Sequence, residues 1–193
     1  MILFWIILGL LSLSESQKSF LPNLPAGEYR IVYDAVYNCK YSKNNLVEVN
    51  LYFSKKSNNM TEVKGNFTLH IPVDDDLNLE VNFSSWSLRG GWVKNSFVQN
   101  FDKMCTNLKM LAGKAWSPFV EAFHVPTNKC PIPKGTYTTK GIDVRVVDGN
   151  NFPKVFFYGK YKLEMKIKFK NNTLVGCEAL EIRVVRPWEL PNF

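Results

Sequence analysis

The sequence predicts a mainly β protein, an antiparallel β-sandwich or cup with a short helical insert around residues 97–123. Three observations carry this expectation. Apolar and polar residues alternate with a period of two over most of the chain, as in strands with one buried face. Short polar turns separate these runs, which favours antiparallel neighbours over crossover helices. One window, 97–123, changes to helical spacing.

Taken in order, EYRIVYDAVYNC places Tyr29, Ile31, Tyr33, Ala35 and Tyr37 on one face with Cys39. LVEVNLYF turns Val47, Val49, Leu51 and Phe53 inward, and VKGNFTLHI does the same with Val63, Gly65, Phe67, Leu69 and Ile71. LNLEVNF sets Leu77, Leu79, Val81 and Phe83 against Asn78, Glu80 and Asn82. At Ser84–Ser85 the phase changes and Trp86 and Leu88 take the apolar parity, which predicts a β-bulge. Arg89-Gly90-Gly91 reads as a turn. Phe97, Phe101, Met104, Leu108 and Leu111 then follow one helical face. Ser117-Pro118 reads as the N-cap and first residue of a second helix carrying Phe119, Val120 and Phe123. Strands resume at GIDVRVV, with Ile142, Val144 and Val146 in phase, and at YKLEMKIKFK, with Tyr161, Leu163, Met165, Ile167 and Phe169 in phase. In the last run Leu180, Ile182 and Val184 agree, while Cys177 has the opposite parity.

The chain opens with MILFWIILGLLSLSES, whose apolar run of about a dozen residues has the length of a signal-peptide core rather than a membrane span. Residues 1–16 are therefore expected to be a signal peptide, and 17–193 a single domain; a signal anchor is the alternative. Cys39, Cys105, Cys130 and Cys177 make an even set suited to two disulfides in an oxidising compartment, with three pairings open. They lack the CxxC spacing of a zinc site, and only His70 and His124 accompany them. Sequons at Asn59, Asn66, Asn82 and Asn171 fall in loops or on the polar faces of strands, which fits a glycosylated, secreted chain. The net charge of +7 points to anionic partners or to solubility alone.

The motif C-P-x-P-x-G-x-Y at Cys130–Tyr137 is followed by Pro153, by Gly159-x-Tyr161 and by Leu174-Val175-Gly176-Cys177. With these features the chain resembles the ganglioside activator proteins and the arthropod CheB-like secreted proteins of the ML lipid-recognition group, best between Phe97 and Cys177. The resemblance implies a β-cup whose sheets splay around an apolar pocket. It also implies the pairings Cys39–Cys177 and Cys105–Cys130, with KCPIPKGTY anchoring the helical insert over the mouth.

Candidate ligand-binding residues are Trp86 and Trp92 beside the Gly-Gly turn, and Phe97, Phe101, Trp116, Phe119 and Phe123 in the insert. For each, ordinary packing is the simpler reading. Lys160, Lys162, Lys166, Lys168 and Lys170 line one strand face; they would attract an anionic surface or protect an exposed edge. Asp74-Asp75-Asp76 reads as a solvated turn rather than a calcium loop. No catalytic motif accompanies either histidine. The expected function is a secreted, non-enzymatic carrier of a lipid or small apolar molecule, with no cofactor and no metal. By the resemblance it serves a chemosensory role (pheromone or cuticular hydrocarbon) or presents lipid to a lysosomal-type hydrolase. The competing expectation is an interaction protein of the same fold without a ligand. A membrane surface or a receptor is a further candidate partner; nucleic acid is not.

Overall fold

The computed structural model describes residues 24–39, 45–57 and 60–189. The expected signal peptide and the sequon at Asn59 lie outside the described residues. Among the described residues ten strands are present: β1 (Ala26–Gly27), β2 (Arg30–Asn38), β3 (Val47–Ser57), β4 (Met60–Leu69), β5 (Leu77–Ser87), β6 (Gly91–Phe101), β7 (Gly135–Asp143), β8 (Phe156–Phe157), β9 (Gly159–Phe169) and β10 (Leu174–Val185). Two short helices, α1 (Met104–Ala112) and α2 (Trp116–Ala122), flank a 3-10 turn. The five-stranded sheet runs β2-β10-β9-β5-β6 and faces the three-stranded sheet β3-β4-β7; β1 and β8 form a separate two-stranded pair. All these pairings are antiparallel, so the fold is the expected sandwich with a helical insert.

The sheets are pinned together at one end. The Leu46 amide donates to the Val175 carbonyl at 2.7 Å, and the His70 amide to the Leu46 carbonyl at 2.8 Å. The backbones approach closely because position 176 is glycine: a Cβ there would meet Val47 at 3.0 Å. Around this seam Val47, Leu69, Leu77, Leu79, Ile167 and Val175 form a buried core with Met104, Cys105 and Phe123 from the insert.

The disulfides are Cys39–Cys177 and Cys105–Cys130, the two pairings the family resemblance implies. They span 138 and 25 residues of sequence, which in the chain-entropy picture corresponds to about 5 and about 3.5 kcal/mol. The opposite parity of Cys177 now has an explanation. It lies on the outer face of β10 with Ala179 and Glu181, opposite Lys166 of β9. Its partner Cys39 reaches that face because β2 is irregular: Tyr33 opposes Ile182, yet Ala35 already opposes Glu181. Asp34 is the extra residue. The expectation that Tyr29 through Cys39 share one face is corrected accordingly, and the Tyr37 hydroxyl donates to Glu181 Oε1 at 2.9 Å on the outside.

Four further expectations are corrected. Phe97 and Phe101 belong to β6, not to a helix; they oppose Phe83 and Leu79. A spacing of four is even, so it keeps residues on one face of a strand as well as on one face of a helix. The helical stripe begins only at Met104. Second, β5 keeps its phase through Ser84–Ser85 against β9, so Trp86 turns to the outer face; the irregularity is on β6, between Val93 and Phe97, where Asn95 has φ of 55°. Third, β7 stops at Asp143, and Val144–Gly149 form a 3-10 turn. Asp143 Oδ1 accepts the Arg145 amide at 2.9 Å, a side-chain cap that competes with the strand ladder. Fourth, α2 starts at Trp116, so Ser117 lies inside the helix rather than capping it.

The insert is held by its surroundings. Asp75 accepts the Thr106 amide at 2.9 Å and the Thr106 hydroxyl at 2.7 Å, capping α1 from a distant turn. These bonds hold the Asp75 carboxyl below the usual carboxylate range. Ile132, in the stretch CPIP, exchanges two 2.9 Å backbone bonds with Val73 just before β5. The Tyr137 hydroxyl closes the segment on the Pro133 carbonyl at 2.8 Å.

Gly65 gives a direct test of the register. Its φ is +117°, and a Cβ would sit 2.0 Å from the Asn50 carbonyl oxygen. Gly65→Ala is expected to cost about 3 kcal/mol through backbone strain and overpacking. Urea unfolding checks this; an unchanged midpoint contradicts the β3–β4 register.

Candidate binding cup

On β3, β4, β5 and β9 burial falls along the inner faces away from the seam, whereas on β10 Ile182 and Val184 are buried beyond half-buried Leu180. On β5, Leu77 and Leu79 are buried, whereas Val81 and Phe83 are half-buried. On β9 the change runs from Ile167 to Met165, Leu163 and Tyr161; on β3 it runs from Val47 to Val49, Leu51 and Phe53. On β4 it runs from Leu69 to Phe67 and Val63. Side chains that face inward from two opposed sheets are left partly reachable by solvent, the arrangement of a concave apolar site.

An aromatic cluster lines the five-stranded side of this space. Phe83 touches Phe97 at 5.6 Å between ring centroids and Phe156 at 6.4 Å; Phe156 also meets Tyr161 at 5.6 Å and Tyr29 at 6.1 Å. At the rim Phe97 is 52% exposed, and Val93, Phe152, Val155 and Phe157 are exposed as well. Beside them a groove of about 310 Å³ opens between Tyr29, Arg30, Ile31, Asp148, Asn150, Pro153 and Lys154. Deeper on the β2 side, Tyr33 packs on Phe53 across the sandwich at 5.3 Å. Its hydroxyl is held protonated well above the ordinary tyrosine range, first by burial and then by Asp148.

The predicted site residues separate into four groups. Phe97 lines the splayed space, on a strand. Phe101, Trp116 and Phe119 are half-buried against the core cluster, and Phe119 lies on Phe67 with rings 13° from parallel. Phe123 is fully buried and is core, not lining; it packs on Phe67 at 5.1 Å and on Phe119 at 4.7 Å. Trp86 and Trp92 form an edge-to-face pair at 5.2 Å on the outer face, so they do not border the space between the sheets.

The lysine stripe stands on a central strand, which corrects its reading as an exposed edge. It is also largely paired. Lys160 meets Glu181 at 3.1 Å, Lys166 and Lys168 share Glu80 at 3.0 and 2.6 Å, and Lys170 bonds Asp76. Lys162 sits 5.1 Å over the Trp92 ring. The two lysines hold the Glu80 carboxyl below its ordinary value, Lys168 most strongly. Among the sequons, Asn66 and Asn82 lie on the outer faces as expected. The Asn82 side-chain amide donates to Asn95 Oδ1 at 2.6 Å, while Asn171 is exposed in its turn.

One residue escaped the sequence reading. Glu178 is 5% exposed on the inner face of β10, and both carboxyl oxygens are buried without a hydrogen-bond partner. Its strand neighbours are Met165 on β9 and Asn38 on β2, and Val49 faces it from β3. Burial pushes its pKa up to about 7, opposed by the Val49 amide of β3, which points at the carboxyl without closing a hydrogen bond of normal geometry. The signal was in the sequence: Glu178 shares the parity of Leu180, Ile182 and Val184.

Among the described residues no cluster of three or more metal-ligating side chains occurs, and no helix is long and apolar enough to cross a membrane. Comparison with protein-family models and with curated proteins finds no match.

Glu178 predicts a pH dependence. Below the ordinary value of 4.5 both folded and unfolded chains hold the proton. Above it the unfolded chain releases the proton first, so stability falls until about pH 7, where the folded carboxyl also ionises. Between pH 5 and 8 the wild type should therefore lose about 3 kcal/mol relative to Glu178→Gln. Urea titrations of both proteins at the two pH values measure this; parallel losses contradict it.

Proposed function

We propose that this chain is a secreted, glycosylated carrier that holds an apolar chain or small lipid between its two sheets. The burial gradient carries the reading: the seam end packs tightly, while inward-facing Leu51, Val63, Val81, Phe83, Leu163 and Met165 stay half-buried. Two disulfides suit an oxidising compartment, which supports secretion. The mechanism is non-covalent and non-enzymatic. Each methylene moved from water into the cup contributes about 0.8 kcal/mol. The apolar rim of Val93, Phe97, Val155 and Phe157 would receive the chain. By the resemblance, the cargo would be a pheromone or cuticular hydrocarbon.

A second reading, lipid presentation at a membrane or to an enzyme, is favoured by the opposite surface. There Leu88 is 98% exposed at the β5–β6 turn between Trp86 and Trp92, with Arg89 beside it. Aromatic rings with cationic neighbours suit a lipid–water boundary.

Native mass spectrometry of protein from a eukaryotic host should show co-purified apolar mass, and a fluorescent apolar probe should bind and be displaced by lipid. Phe97→Asp should weaken the probe about tenfold, because it sets a charge on the lining. Trp86→Asp, on the outer face, should leave uptake unchanged. A clean apo mass with no probe uptake contradicts the carrier and leaves the ligand-free interaction protein.

A further inference from the structure

Glu178 is the one buried inner-face carboxylate with neither oxygen hydrogen-bonded among the described residues. A buried ionisable group without a partner is costly, and a ligand that supplies the partner recovers that cost. We propose that Glu178 is the polar subsite of the cup and that the preferred cargo is a long-chain amphiphile with an amine head. This rests on the carrier reading above and names its ligand class.

The surroundings select the head group. Met165 and Asn38 stand beside Glu178 on the flanking strands and the Val49 backbone amide approaches it from β3, so no cation stands on these strand neighbours to neutralise it. A carboxylate offers about four lone-pair sites and an ammonium three donors, so one amine head meets both the charge and the missing bonds. An alcohol supplies a single donor. A fatty-acid carboxylate would bring like charge into a poorly solvated site.

The geometry also gives the tail a place. Leu51, Leu163, Met165 and Leu180 are half-buried inner-face neighbours, and a chain lying along them runs from Glu178 toward the rim at Phe97. Met165, beside Glu178 in register, is unbranched and can adapt its shape to a bound chain. The overall charge argues the other way, since a chain of net charge +7 attracts anions in general. A preference for the amine would therefore have to come from the local site.

The test uses three probes of one chain length, dodecylamine, 1-dodecanol and dodecanoate, below their aggregation limits, bound to the folded protein at pH 7.4. Wild type should bind the amine at least about tenfold tighter than dodecanoate. Glu178→Gln should bring the amine down to the alcohol while changing dodecanol affinity less than about twofold. Glu178→Met, with no polar head, serves as the second variant should Gln perturb the fold. If wild type prefers dodecanoate, or if both variants keep the amine preference, Glu178 is not the subsite although the carrier stands. If none of the three probes binds wild type, the carrier reading falls together with the subsite.

Discussion

The architecture depends on a seam where the two sheets are held backbone to backbone. The Leu46–Val175 hydrogen bond and the close approach at Gly176 fix β10 against the start of β3, and the Cys39–Cys177 bridge ties β10 to the end of β2 beside it. Strands in a sheet twist with a fixed hand, so two sheets pinned at one place diverge away from it. Away from the seam the inner faces of β3, β4, β5 and β9 become half-buried, while on the β2 and β10 side Tyr33 and Phe53 still meet across the sandwich and Ile182 and Val184 stay buried. The same amino-acid types, Leu and Val, are core at Leu69 and Leu77 and only half-buried at Leu51 and Val81. On β3, β4, β5 and β9, position relative to the seam decides which they become.

The helical insert packs onto the seam end of the core, to which it contributes Met104, Cys105 and Phe123. Phe119 from α2 and Phe123 from its C-terminal end pack on Phe67, which in turn meets Tyr137. The insert is fixed from three directions. Asp75 caps α1, Cys105–Cys130 ties it to the CPIP segment, and that segment pairs with Val73. This answers why a cysteine and two prolines precede β7. They join the insert, the start of β5 and the start of β7 at one point, so the boundary of the splayed space is rigid where it meets the core. The tight packing around the seam offsets a real cost elsewhere: Glu178 sits among apolar neighbours with its oxygens unbonded, where ionisation is opposed by burial.

Much of this was legible in the sequence because alternation reports faces directly. The inward sets on β3, β4, β5 and β9 were read residue by residue, and the strand faces of Asn66 and Asn82 followed from the same parity. Legibility failed where a local device broke the period or imitated another. The extra residue at Asp34 moved Tyr37 outward, and the Asp143 cap ended β7 early. The four-residue step from Phe97 to Phe101 fits strand and helix alike. Trp86 misled through its size: a large apolar ring suggested an inward position, but β9 holds β5 in phase and the ring packs outside against Trp92. Glu178 was visible by parity and overlooked because a charge at an apolar position carries no motif. The placement of Phe123 in the core rather than on the lining required the tertiary arrangement of α2 over β4 and β7.

The central claim is that the space between the splayed sheets accepts an apolar chain. A crystal soaked with a terminally brominated long-chain alcohol tests it directly, since anomalous scattering locates the bromine without a choice of interpretation. The account predicts a bromine site enclosed by the inner faces of β3, β4, β5 and β9, beside Leu51, Val63, Val81 or Met165. Bromine found only on the outer surface, with these side chains interlocked across the gap, would contradict it.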